Sequence, residues 1–161
     1  MKETKSTIEP ITVKVICSKE IGTGFFISDM NILTAYHVIE EQSDEYKIKI
    51  EYNNQLFDAT LVSFDFNLDV ALIQVTDINS DIQQNTLEAV AYTPRLDETW
   101  ETFGYPNGVG SRFKGAFLQR EITKRWDYIL SCDEVDEHFD FGGLSGSPIV
   151  ASDKICAITL N

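Results

Sequence analysis

At 161 residues, with 43% hydrophobic and 11% aromatic side chains, the chain can close one substantial core or two small barrels sharing an interface, which excludes a disordered polypeptide. Its formal net charge of −13 repels phosphate, so neither nucleic acid nor an anionic membrane is expected as a partner. Basic peptide segments suit that charge, although acidity also serves solubility alone. No apolar run approaches the roughly 20 residues of a membrane-spanning helix. The polar start, Met1 to Thr7, lacks the apolar centre of a secretory signal, and a cytoplasmic protein is expected. Cys17, Cys132 and Cys156 are an odd number without metal-ligand spacing. Free buried thiols in a reducing compartment are therefore expected, with no disulfide framework, no metal and no cofactor.

In chain order, Ile11 to Cys17 alternates as a half-buried strand, and Gly24 to Ile27 is a second. Asp29-Met30-Asn31 turns into a third strand at Ile32 to Ala35, after which Tyr36 to Glu40 has room for one helical turn. Tyr46 to Tyr52 and Leu56 to Phe64 read as strands joined by an Asn53-Asn54 turn. Val70 to Val75 is almost continuously apolar, as in a strand buried on both faces. Thr76 to Asn85 is polar and reads as a linker, and Asp81 to Leu96 reads as loop. Thr99 to Gly108 is a strand ending in a Gly/Pro/Asn turn. Ala116 to Thr123 and Trp126 to Cys132 supply further strands, Asp133 to Asp140 is an acidic loop, and Ile155 to Leu160 is the last strand.

Many short strands without long amphipathic crossovers predict an all-β fold of sandwich or paired-barrel type, not a parallel α/β sheet. The expected organisation is a single domain over residues 1–161. A first barrel occupies about residues 8–80 and a second about 81–161. Only Ser147 to Asn161 follow the last loop, enough for two strands, so the second barrel is expected to be incomplete or continued by further sequence.

The chemistry concentrates in three places. Phe141-Gly142-Gly143-Leu144-Ser145-Gly146-Ser147-Pro148 sets a serine between glycines, whose freedom allows tight backbone geometry and close approach of a substrate. Taken alone, this segment also fits an ordinary turn. His37 follows the apolar Ile32 to Ala35 run, and Asp69 stands at the mouth of the Val70 to Val75 strand. A hydrolytic serine needs a base to take its proton, and the base needs an acid to hold its tautomer. His138, inside the acidic loop, reads as a surface residue. A strand-turn-helix Gly-x-Ser-x-Gly elbow does not fit, because a strand follows Ser147 and the serine comes last in the chain.

Gly22-Thr23-Gly24-Phe25-Phe26-Ile27, Leu33-Thr34-Ala35-Tyr36-His37-Val38, Leu68-Asp69-Val70-Ala71-Leu72 and Gly143-Leu144-Ser145-Gly146-Ser147-Pro148 resemble, in order, the signature blocks of trypsin-like (chymotrypsin-fold) serine proteases. The bacterial HtrA/Deg-like branch is the nearer likeness, through the Gly-x-Gly-Phe opening and the Phe103-Gly104-Tyr105-Pro106-Asn107-Gly108 turn. The resemblance implies two packed antiparallel β-barrels of six-stranded type and a serine endopeptidase acting on protein or peptide substrates through an acyl-enzyme. It implies Ser145 as nucleophile, His37 as general base, Asp69 as its orienting acid, and the backbone N–H groups of Gly143 and Ser145 as the oxyanion hole.

Departures from that pattern carry their own expectations. Leu144 stands where digestive trypsins carry an aspartate that pairs with a newly cut N-terminus, so activation by such an ion pair is not expected. Phe139 stands six residues before the serine, with Asp140 one place off. The expected substrate pocket, formed by Phe139, Asp140, Ile158 and Leu160, takes small or apolar side chains. The acidic run Asp133 to Glu137 either faces a basic substrate segment or is simply solvated. Fold-level analogy places such domains in larger bacterial signalling or defence proteins, with further domains or a regulatory partner beyond Asn161. The alternatives are a trypsin-like fold serving as a protein-binding module, and an esterase using the same site.

Overall fold

The computed structural model describes residues 8–78, 89, 92–120, 128–134 and 140–160. A short 3₁₀ turn at Glu9–Ile11 leads into β1 (Thr12–Cys17), which forms a hairpin with β2 (Glu20–Phe26) around Ser18, at φ +56°. β3 (Asn31–Ala35) runs into the single helical turn α1 (Tyr36–Ile39), followed by β4 (Ile48–Tyr52), β5 (Gln55–Asp65) and β6 (Val70–Val75). These six strands close an antiparallel barrel in the order β1-β2-β3-β6-β5-β4. Asn53 and Asn54, at φ +50° and +60°, make the tight turn between β4 and β5, a conformation asparagine tolerates better than most residues.

The second sheet contains β7 (Thr99–Gly104), β8 (Ser111–Arg120), β9 (Tyr128–Leu130), β10 (Pro148–Ala151) and β11 (Lys154–Ile158), in the order β11-β10-β7-β8-β9. Among the described residues it is open, not closed. The all-β architecture expected from the strand pattern is present, as a complete barrel facing a curled sheet. No helix among the described residues is long and apolar enough to cross a membrane.

Burial explains the partition. Val13, Val15, Phe26, Ile32, Ile50 and Ile73 fill the barrel, whereas Trp100, Phe113, Phe117 and Ile149 form the core of the second sheet. A third cluster of Ile8, Ile11, Phe25, Phe103, Val150 and Ile155 lies in the seam between them. The strand period of two sends Phe26 into the barrel and its neighbour Phe25 into the seam. One β2 hairpin arm thus belongs to both cores.

Several element boundaries differ from the sequence expectation, each for a physical reason. β2 begins at Glu20, because the hairpin pairs Cys17 with Glu20; Glu20 is charged and Ile21 is exposed, so their place in the strand comes from the pairing and not from burial. β8 begins at Ser111, with Arg112 and Lys114 outward and Phe113, Gly115 and Phe117 inward. β6 is not buried evenly on both faces. Ala71, Ile73 and Val75 point into the barrel, while Val70, Leu72 and Gln74 are only half covered. Cys132 lies just beyond β9 and, like Cys156, is half-buried instead of fully buried. Most of the Thr76 to Asn85 and Asp81 to Leu96 stretches, together with Thr123, Trp126 and His138, lie outside the described residues.

Removing a large buried side chain from the barrel should be costly. Ile73→Ala is expected to lose about 2–5 kcal/mol in urea denaturation, against about 0.5 kcal/mol or less for exposed Leu56→Ala. The thiols give a second check. All three cysteines are free; burial pushes the Cys156 thiol up to about 11 and raises those of Cys17 and Cys132. The reactive thiolate is therefore scarce near neutrality. Iodoacetamide at pH 7.5 should modify the native protein far more slowly than the urea-unfolded chain.

Candidate active site

His37 sits in α1, the one helical turn that fits between β3 and the chain leading to β4. Its neighbours Val38 and Ile39 are buried in the barrel core, which fixes the turn and leaves the imidazole at the edge, 35% exposed. Asp69 stands at φ +52° in the tight turn before β6, with its side chain 19% exposed. Asp65 supports that turn by accepting the N–H groups of Asn67 and Leu68 at 2.9 and 3.0 Å.

Asp69 holds α1 at three points. Its Oδ2 lies 2.6 Å from His37 Nδ1, its Oδ1 accepts the His37 N–H at 2.8 Å, and its carbonyl accepts the Tyr36 N–H at 3.1 Å. A carboxylate only accepts hydrogen bonds, so Nδ1 carries the hydrogen and neutral imidazole presents its Nε2 lone pair. Beside the pair, the Tyr36 ring stacks on Phe64 at 4.5 Å and meets Phe66 edge-on.

Ser145 belongs to the turn before β10 and is 3% exposed. Among the described residues its hydroxyl makes no hydrogen bond. Glycines let the loop press against the elements that carry His37. A Cβ on Gly22 would meet Val38 Cγ2 at 2.5 Å and the Ser145 carbonyl at 3.1 Å. Gly146, at φ +89°, leaves no room for a Cβ against the Thr23 carbonyl and would bring one to 2.9 Å from the Ala35 nitrogen. The loop, β2 and the start of α1 therefore converge.

The backbone donors of this loop are largely committed. Gly142 N–H goes to Asp140 Oδ1 at 2.8 Å, Leu144 N–H to the Phe141 carbonyl at 2.9 Å, and Gly146 N–H to the Thr159 carbonyl at 2.8 Å. Ser147 N–H goes to the Leu144 carbonyl and Thr159 Oγ1, each at 3.0 Å. Among the described residues, only the N–H groups of Gly143 and Ser145 in this stretch donate to no protein acceptor. Two unengaged donors two residues apart, one of them the serine's own, are the kind of group that can hold an oxyanion.

The expected pocket residues scatter. Phe139 lies outside the described residues. Asp140 is exposed and caps Gly142. Ile158 packs in the seam and, with Phe25, Leu33 and Val70, lines an apolar cleft of about 310 Å³. Leu160 packs against the barrel core. Leu144 is buried in the second sheet, as its apolar character demands. Thr23, Thr159 and Asn107, which secure the loop, escape a reading of the sequence because single buried hydroxyls and a turn asparagine carry no distinctive pattern. The one signal was Thr23's position between two glycines.

Comparison with known proteins agrees with this architecture. The family described as Trypsin-like peptidase domain matches residues 22–156. An Arabidopsis thaliana protein described as "Putative protease Do-like 12, mitochondrial" is 26% identical over 151 residues, covering 85% of this chain; the chain spans only 28% of that relative's length. Among solved structures, the inactive form of the Rv3671c protease of M. tuberculosis superposes with a TM-score of 0.73 at 22% identity, over 93% of this chain and 76% of the other. Deg5 gives 0.73 at 16% identity, over 95% and 80% respectively. The serine endoprotease of Yersinia pestis gives 0.73 at 22% identity, over 94% and 54%. With most of its length matched, including the segments that carry His37, Asp69 and Ser145, the chain belongs to the trypsin-like peptidase family.

Proposed function

We propose that this chain is a serine endopeptidase that hydrolyses peptide bonds of protein substrates through an acyl-enzyme. The observation that carries the reading is the double grip of Asp69 on His37, which fixes the imidazole's tautomer and orientation. In this mechanism His37 Nε2 takes the Ser145 hydroxyl proton as Oγ bonds to the scissile carbonyl carbon. The carbonyl oxygen gains the π-electron pair and lies between the Gly143 and Ser145 N–H groups. Collapse breaks the C–N bond, and His37 returns its proton to the leaving amine. Water then repeats the sequence: His37 takes its proton, the acid is released, and Ser145 Oγ is reprotonated.

Loss of one oxyanion donor in such a site costs about 3–4 kcal/mol of transition-state stabilisation, so the placement of these two N–H groups matters as much as the nucleophile. Leu144, buried where an ion pair would otherwise form, supports an oxyanion loop that does not wait for a freed N-terminus. The substrate pocket is proposed to favour small or apolar side chains, because the sequence carries Phe139 six residues before Ser145.

A fluorophosphonate probe should label the wild-type protein and not Ser145→Ala, and a peptide library should be cleaved after small or apolar residues. Absence of both labelling and cleavage would reassign the fold to protein binding, and ester turnover without peptide cleavage would reassign it to another acyl hydrolase. Asp69→Asn, which leaves Nδ1 facing an amide, should lower kcat on the order of 10⁴-fold at neutral pH with the fold intact by circular dichroism.

A further inference from the structure

We infer that Thr23 is a positioning residue for the oxyanion-binding loop, acting through a hydroxyl shared between the two halves of the molecule. The inference rests on the protease reading above and extends it to a residue outside the triad. Thr23 is fully buried in β2, between Gly22 and Gly24, and takes part in four hydrogen bonds. Its N–H donates to the Ser145 carbonyl at 2.8 Å, and its carbonyl accepts the Thr34 hydroxyl at 2.8 Å. Its own hydroxyl donates to the Gly143 carbonyl at 2.8 Å and accepts the Tyr105 N–H at 3.0 Å.

Peptide geometry turns these bonds into aim. In a trans peptide the C=O and the following N–H point in opposite directions, so anchoring the carbonyl directs the N–H. The Gly142 carbonyl is held by the Asn107 N–H at 2.7 Å, which turns the Gly143 N–H away from the Tyr105–Asn107 turn. The Leu144 carbonyl is held by the hydroxyls of Ser147 and Thr159, both at 2.6 Å, which turns the Ser145 N–H away from those two residues. The peptide between these two planes is anchored on both sides, by Thr23 Oγ1 on the Gly143 carbonyl and by the Phe141 carbonyl on the Leu144 N–H. Gly143, at φ +96°, has no Cβ to resist rotation, so orientation there depends on hydrogen bonds alone.

The hydroxyl also couples the loop to its other support. Tyr105 opens the turn whose Asn107 holds Gly142, and the Tyr105 N–H ends on the same Thr23 oxygen. One side-chain oxygen therefore fixes both the middle peptide of the loop and the turn that anchors the peptide before it. Valine has the same shape but can neither donate nor accept, whereas serine keeps both functions and loses only a methyl group.

The test compares wild type, Thr23→Val and Thr23→Ser on the best-cleaved library peptide and on a peptide boronate built from that sequence, which forms a tetrahedral adduct at Ser145. Thr23→Val is expected to lower kcat about 10- to 100-fold, less than outright loss of a donor, and to weaken the boronate by a similar factor. KM should stay within about threefold, as expected when an interaction made only in the transition state is lost. Thr23→Ser should remain within about fivefold of wild type in both measurements, since the hydroxyl bonds remain. Unchanged kcat in Thr23→Val, or a loss confined to KM with boronate affinity intact, would overturn the inference. A folded Thr23→Ser as impaired as the valine variant would overturn it equally, and that variant decides the matter if Thr23→Val does not fold. Inert wild-type protein would overturn the protease reading itself, and this inference with it; active wild type beside an unimpaired Thr23→Val overturns only the inference.

Discussion

The Ser145 loop is docked on β2 where the closed barrel meets the second sheet, and the candidate site exists only because that seam is tight. Phe25 and Phe103 fill it with apolar surface, but hydrophobic burial is non-directional and would tolerate a sliding loop. Direction comes from hydrogen bonds crossing the seam: Thr23 to Ser145 and Gly143, and Tyr105 back to Thr23. Glycines at 22 and 146 remove the side chains that would hold the two halves apart. The seam therefore combines an apolar contact that brings the halves together with a polar contact that sets their register.

His37 and Asp69 are arranged on a different logic. Both belong to the first barrel, and β3 and β6 pair directly, with Ala35 opposite Val70. The residues just beyond that final pair, at the end of β3 and the start of β6, are thereby brought side by side. Asp69 then uses two carboxylate oxygens and its own carbonyl to fasten the first turn of α1. A four-residue helix has little intrinsic stability, so these contacts and the buried Val38 and Ile39 are what hold it. The candidate base and acid are held together within one barrel, while the serine arrives from the other sheet.

Much of this was legible in the sequence. Alternating runs such as Ile11 to Cys17, and paired turn residues such as Asn53-Asn54, announce strands and hairpins through local steric preference. The ordered blocks around His37, Asp69 and Ser145 announce the family. Strand starts at Glu20 and Ser111 were not legible, because exposed strand ends are defined by their pairing partners and not by their own hydrophobicity. The expected pocket residues Ile158 and Leu160 have no local pattern that tells their packing. In the folded molecule Ile158 belongs to the seam and Leu160 to the barrel core.

The sequence by itself determined the all-β class, the residue types of the candidate triad and the absence of an acidic residue beside Ser145. Those properties follow from local periodicity and from the identity of single residues. Tertiary structure alone decided which backbone donors remain unengaged and what aims them. Among the described residues Gly143 and Ser145 keep free N–H groups, while Asp140, Phe141 and Thr159 occupy the neighbouring donors, and Asn107, Ser147, Thr159 and Thr23 hold the intervening carbonyls. Most of these partners lie far from the loop in sequence, and hydrogen bonds between distant segments leave no trace in local pattern; only the folded chain brings their donors and acceptors within reach.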